Sequence, residues 1–243
     1  MGRIVAVAGG DLSTTREINK HTIKLTNLTN PNVLFIGTAS RDSEGYIEAI
    51  TKEFNFLECE VKTLCLYSQQ YDDKDIDSLL AWANIIYVGG GDTISMMQTW
   101  KQYGLDKKLK NIYENDLAVL TGISAGAICW FNCGHSNSGS FHSEENWNYC
   151  WANGMLDIFH IAYCPHYNQE GRHTFDNMLA EKNVPGLAME SDTAFVENNG
   201  KQYFVRSNLN SKAYYMTYTN GILNKQEVKF EMILIPKIIS YSH

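Results

Sequence analysis

The sequence predicts an α/β protein built on a doubly wound, mostly parallel sheet flanked by helices. Three observations carry that expectation. Short, β-branched apolar runs alternate with longer amphipathic stretches through the first half of the chain. The runs are continuously apolar instead of alternating, as strands covered on both faces must be. Glycine clusters follow three of them: Gly9-Gly10, Gly89-Gly90-Gly91, and Gly122 with Gly126.

Taken in order, residues 4–8 read as the first strand and 13–26 as an amphipathic helix. Strands at 32–39 and 61–67 enclose a helical stretch at 43–56. In segment 73–83, Ile76, Leu79, Leu80 and Ala83 share one helical face, and Asp73 and Asp75 sit at its start, where negative charge suits the helix dipole. Strand 85–88, a helical stretch at 93–115 and strand 117–123 complete the alternation. Beyond residue 132 the pattern changes. Segment 135–150 is rich in Ser, Asn, Gly and Glu without a period and reads as a long loop, a length usually tied to function or mobility. A strand starts at His160, a helix is expected over 169–182, and strands over 187–191, 193–198, 202–205 and 213–219. Asn198-Asn199-Gly200 is a hairpin signal between two of these. Segment 229–239 is apolar, carries Pro236 and shows no helix signature. With no repeat, linker or second core, residues 1–243 are expected to form one domain.

Composition narrows the function. The 243 residues are 44% hydrophobic and 19% charged, enough for a sizeable core. Twenty Lys and Arg stand against 27 Asp and Glu, a net charge of −7, which argues against a nucleic-acid partner. The absence of a basic block argues against a polybasic membrane patch. No stretch approaches the roughly 20 apolar residues of a membrane helix, and the apolar run at the N-terminus is too short for a signal peptide. The six cysteines form no C-x-x-C pair, so a zinc ribbon or redox dithiol has no support. Reduced, mostly buried thiols and a cytoplasmic location are expected. No metal or cofactor is called for, and a monomer or homodimer is expected.

The strongest local signal is Thr121-Gly122-Ile123-Ser124-Ala125-Gly126-Ala127. A buried strand enters it and an apolar helical pattern (Ala127, Ile128, Trp130, Phe131) leaves it, the context of a nucleophile elbow. Small neighbours let the turn close while the Ser124 hydroxyl stands above the sheet edge, and the N–H of Ala125 faces a developing oxyanion. A serine nucleophile needs a base. Of the seven histidines, His166 alone ends an apolar strand, Ile161 to Pro165, at the carboxyl edge where α/β sheets place their ligands. The orienting carboxylate is expected at Glu190 or Asp192, which share a face at the end of the next strand. The order Ser, His, acid differs from that of ordinary α/β-hydrolases. Gly89-Gly90-Gly91-Asp92-Thr93 lacks the spacing of a nucleotide loop and reads better as a second oxyanion donor opposite Ser124.

Together, Gly89-Gly90-Gly91-Asp92-Thr93, Gly122 to Ala127, Cys164-Pro165-His166-Tyr167 and Glu190 resemble the S51 serine peptidases, the family of the aspartyl dipeptidase peptidase E and, more distantly, of cyanophycinase. The resemblance implies a fold related to class I glutamine amidotransferase domains. It implies Ser124 as nucleophile, His166 as base, Glu190 as the acid of a Ser-His-Glu triad, and the N–H groups of Gly91 and Ala125 as the oxyanion hole. Small peptides with a free N-terminus are then the expected substrates, with Asp-Xaa dipeptides the family precedent and a basic residue binding the aspartyl carboxylate. Arg172, after His166, and Arg41, after the second strand, are the candidates for that residue. The chain departs from the family at Asp92, where an asparagine is usual. It also departs at Gly134 to Ser138, which lacks a carboxylate, and in a shorter spacer between His166 and Arg172. A bare Asp92 charge beside the pocket would disfavour an anionic substrate. Glu144, Glu145 and Trp147 of the long loop are candidates to anchor a substrate ammonium. Competing readings are a non-catalytic binding module on the same fold, or a hydrolase of esters or β-aspartyl peptides.

Overall fold

The structure is a computed structural model and describes residues 2–142 and 148–234. Glu144, Glu145 and Trp147, and segment 229–239 beyond residue 234, lie outside the described residues.

Five strands form the parallel heart of the larger sheet: β1 (Arg3–Val7), β2 (Asn32–Ile36), β3 (Glu60–Leu64), β4 (Ile85–Val88) and β5 (Val119–Ile123). They lie in the order β3-β2-β4-β5-β1. Alternate residues of β1, β2 and β4 bury on opposite faces. Val5, Val7, Val33, Phe35, Ile85 and Tyr87 pack under α1 (Leu12–Lys24) and α2 (Glu44–Phe56). Ile4, Ala6, Leu34, Ile36, Ile86 and Val88 pack under α3 (Asp73–Trp82), α4 (Thr93–Gln102) and α5 (Leu105–Glu114). Helices on both faces explain why these strands are continuously apolar. The expected long helix at 93–115 is two helices, because Gly104 turns left-handed at φ +62 and opens α5, whose Leu105, Leu109 and Ile112 then face the core.

The expected doubly wound α/β architecture is present, but the strands fall into two mixed sheets. β10 (Thr193–Asn198) and β11 (Lys201–Arg206) extend the first sheet beyond β1, joined by the expected hairpin with Asn199 and Gly200 at positive φ. The short β14 (Met232–Ile233) pairs with β11. A second sheet contains β6 (Phe131–Ser136), β7 (Cys150–Asn153), β8 (Phe159–Cys164), β9 (Gly186–Met189), β12 (Ala213–Thr219) and β13 (Ile222–Glu227). One face joins the main core through Phe131, Phe159, Tyr163 and Met189. The other, with Cys133, Ala162, Cys164 and Met216, is covered by Phe175 and Leu179.

Three local expectations change. The helix leaving the elbow, α6, spans only Ala125–Ile128; Trp130 and Phe131 are fully buried and turn the chain into β6. Their apolar spacing reports the second sheet instead of a helix face. Segment 135–150 is loop only in part, since His135 and Ser136 end β6, a 3-10 turn covers Ser138–Phe141 and Cys150 opens β7. Helix 169–182 reduces to α7 (Thr174–Met178) and a 3-10 turn at Leu179–Glu181, because His166 and Gly171 at positive φ hold the preceding residues in turns. All six cysteines are free thiols, five of them buried. Among the described residues no helix is long and apolar enough to cross a membrane.

Candidate active site

The carboxyl ends of β1, β2, β4 and β5 open on one sheet edge, and the candidate residues gather there. Ser124 follows β5 directly with φ +56 and ψ −112, a conformation that side-chain-bearing residues avoid. Two glycines let that turn close. A Cβ on Gly122 would lie 2.2 Å from the Gly126 carbonyl oxygen, and one on Gly126 would lie 2.2 Å from that of Val88. The elbow is therefore pressed flush against β4, and its small residues are obligatory.

The Gly89-Gly90-Gly91 loop passes over the serine, since a Cβ on Gly90 would stand 3.4 Å from that of Ser124. Gly91, at φ +141, lies so close to the carbonyl of Ala39 that no side chain fits. The same carbonyl accepts the N–H of Asp92 at 2.8 Å, which fixes the loop. Among the described residues no protein acceptor takes the N–H of Gly91 or of Ala125. Of the two expected oxyanion donors, Gly91 thus belongs to the loop over Ser124 and Ala125 opens α6 directly after it.

His166 reaches the same place from β8. The Ser124 N–H donates to Val7 at the end of β1, and two residues further on Gly9 supports the imidazole. A Cβ on Gly9 would fall 2.1 Å from His166 Cε1 and 2.2 Å from Nδ1. The neighbouring Gly10 makes the same room for Asp192, whose Oδ1 would lie 2.3 Å from an added Cβ. Burial, then the positive charge of Arg172, push the His166 pKa down from 6.5 to about 4. At neutral pH it is a neutral imidazole, able to accept a proton. Among the described residues no hydrogen bond joins it to Ser124.

The structure does not bring Glu190 to His166. One Glu190 carboxylate oxygen accepts the Lys212 N–H at 2.9 Å, and the Glu190 N–H donates to the Lys212 carbonyl at 3.0 Å. Asp192 accepts the Thr14 hydroxyl at 2.6 Å. The group facing His166 Nδ1 is the Ser191 hydroxyl, at 3.3 Å. Period-two reasoning placed 190 and 192 on one face and so passed over 191. The chain leaves β9 at residue 189, and Asp192 is left-handed at φ +66, so strand alternation no longer governs these side chains.

Arg172 is 3% exposed. Its Nη1 donates to the His135 carbonyl at 2.7 Å, and its guanidinium lies 4.5 Å over the Tyr149 ring. Its Nε is buried with no hydrogen-bond partner. Among the described residues no carboxylate pairs with it. His135, read from the sequence as a loop residue, is fully buried beside it and stacks on Tyr149. Burial and then Arg172 push its pKa down from 6.5 to about 3. Arg41 is exposed on the loop that holds Gly91, 5.7 Å over the Tyr67 ring.

Asp92 does not stand bare beside the pocket. It is buried as the N-cap of α4, accepting the N–H groups of Ile94 and Ser95 and the Ser95 hydroxyl, with His142 Nε2 at 2.8 Å. Burial alone would raise its pKa, but the hydrogen bonds from Ser95, Ser138 and His142 outweigh it and hold the carboxyl below its usual value. The charge is spent on the helix terminus.

Comparison with known proteins gives the family and the fold. The model of peptidase family S51 matches residues 4–205. The chain is 31% identical over 222 residues to the uncharacterized peptidase YgaJ of Bacillus subtilis (strain 168), covering 88% of this chain and 91% of that one. Two solved structures share the fold. A peptidase from an acI-B1 Actinobacterium superposes with a TM-score of 0.69 at 20% identity, over 95% of both chains. A putative peptidase E protein from Listeria monocytogenes EGD-e gives 0.65 at 19% identity, over 85% of this chain and 98% of its own. With a family match over most of its length, the chain belongs to peptidase family S51.

Proposed function

We propose that the protein is a serine peptidase that releases an acidic N-terminal residue from short peptides. Ser124 Oγ attacks the first peptide carbonyl while neutral His166 takes its proton and then delivers it to the leaving amine. The N–H groups of Gly91 and Ala125 receive the oxyanion, and water hydrolyses the acyl-enzyme. Ser191 orients the imidazole. Glu190 acts one step back, clamping the end of the 190–192 turn to Lys212. The observation that carries the substrate class is Arg172, a buried guanidinium without a carboxylate partner among the described residues. Such a charge costs several kcal/mol to bury alone, and a substrate carboxylate would offset that.

Tripeptides beginning with Asp, Asn, Glu or Leu, each with an N-acetylated counterpart, test the reading. Asp peptides with a free N-terminus are expected to exceed Asn peptides by ~100-fold in kcat/KM, and Arg172→Met to remove most of that ratio. Equal turnover of Asp and Asn peptides would make Arg172 a structural residue.

The pH profile tests the base. Catalysis needs neutral His166, so kcat/KM is expected to hold through pH 6 and to fall only near pH 4. Arg172→Met removes a positive neighbour and should move that limb upward. Glu190→Gln should leave it in place, whereas a carboxylate on the imidazole would hold the pKa up, and its loss would lower the limb. A wild-type limb near pH 6.5 would contradict the buried, neutral base. Stability has its own acid dependence. Between pH 6.5 and about 4 the unfolded chain binds protons that folded His135 and His166 refuse, so stability falls as pH falls. Rates below pH 6 therefore need short assays.

A further inference from the structure

A pocket opens beside His166. The inner part, of about 340 Å³, is lined by Gly10, Asp11, Thr14, His166, Gln169 and Asp192. Thr14 and Asp192 also line the outer part, of about 620 Å³, which continues along α1 over Arg16 and Lys20 to Asn208 and Leu209. The two parts adjoin at Thr14 and Asp192, and the inner one is lined by the base. In acyl transfer to serine the base protonates the leaving amine, so the leaving group lies on the base's side. Whatever follows the scissile bond enters this cleft.

Among the described residues the inner part is lined by two carboxylates and no cation. Asp192 is fixed by the Thr14 hydroxyl and seated over Gly10, and Asp11 stands at the start of α1. A dipeptide's leaving group is a single amino acid, whose carboxylate sits two bonds from the scissile nitrogen. It would be pressed against both aspartates. A longer peptide places an amide there, whose N–H can donate to a carboxylate, and moves its terminal charge outward by about 3.3–3.6 Å per residue. The outer part carries Arg16 and Lys20, ion-paired to Glu53 and Glu17. Of these, Arg16, Lys20 and Glu17 line it together with Asp192, so the outer part is balanced in charge where the inner part is negative.

Resting on the serine-peptidase reading above, we propose that this cleft binds the leaving-group side of tripeptides and longer chains. Asp11 and Asp192 reject the free carboxylate of a dipeptide.

The test is a matched series on the full chain: Asp-Leu, its C-terminal amide, Asp-Leu-Ala and Asp-Leu-Ala-Ala. Against the dipeptide, the amide and the tripeptide are expected to gain ~10-fold or more in kcat/KM. Asp192→Asn and, separately, Asp11→Asn should each narrow that gap by raising turnover of the dipeptide. A dipeptide cleaved as well as its amide, or a gap that neither variant changes, would overturn the proposal. A serine-directed fluorophosphonate separates the failures. Labelling of Ser124 together with a preference for the dipeptide refutes the cleft alone. No labelling and no turnover of any member refutes the cleft and the peptidase reading together.

Discussion

Replacing Ser124 by glycine is expected to abolish hydrolysis and raise the melting temperature in the same variant. Ser124 sits at φ +56, ψ −112, a region that costs a residue with a side chain ~1–3 kcal/mol. Glycine adopts it freely. It also enlarges the entropy of the unfolded chain, which takes back ~0.4–1 kcal/mol. The remainder is about 1 kcal/mol of stabilisation, which in a chain of this size raises Tm by roughly 2–4 °C. Ser124→Ala removes the same hydroxyl but keeps a Cβ in the strained conformation, so its Tm should stay near wild type. Both variants should lose ~10³-fold or more in kcat, as expected when a covalent nucleophile is deleted and only the oxyanion donors remain. Steady-state kinetics and calorimetry on the three proteins check this. Substantial activity in either variant would remove Ser124 from the mechanism. A glycine variant less stable than wild type would mean that the elbow holds no strain.

The same elbow marks how far the sequence can be read. Strand, tight turn and small residues at 122 and 126 are local features, and local sterics force them. The parallel heart is equally local in its logic, since β1, β2, β4 and β5 each carry apolar residues to both faces and announce helices on both. Legibility ends where distant pairing decides. Trp130 and Phe131 continue a helical spacing out of the elbow, yet the need to bury both against β8 draws the chain into a second sheet. β13 escapes notice because its residues, Ile222 to Glu227, are mostly exposed and lack a period. His135 sits in a polar stretch, and residues distant in sequence, among them Arg172 and Tyr149, 37 and 14 residues on, make it a core residue. Glu190 faces away from the imidazole because the backbone of Lys212, 22 residues on, offers it a donor. Gly9 and Gly10 were legible as a turn that fails a nucleotide fingerprint. That they seat His166 and Asp192 depends on strands that arrive more than 150 residues later.

That floor gives the other large expected effect. Gly9→Ala places a methyl group 2.1 Å from His166 Cε1, 2.2 Å from Nδ1 and 3.0 Å from Nε2. No rotation that keeps the ring in its plane of approach clears all three, so the imidazole must leave its seat and with it the Ser191 hydroxyl. A displacement of about 1 Å at a catalytic group costs ~10²-fold, and that is the expected minimum loss in kcat/KM. Gly9 is not in the left-handed region, so alanine meets no backbone penalty there. The clash falls on a side chain at the open edge, and Tm should change by only a few degrees. Gly10→Ala forms the contrast. At φ +121 it strains the backbone itself, and its Cβ meets Asp192 Oδ1 at 2.3 Å, so it should lose stability as well as activity. A fluorophosphonate probe should label Ser124 more slowly in Gly9→Ala than in wild type, because the probe reports the base that activates the serine. Wild-type kcat/KM in Gly9→Ala would show that His166 does not work from the seat it occupies, and the base would have to be sought elsewhere along the sheet edge.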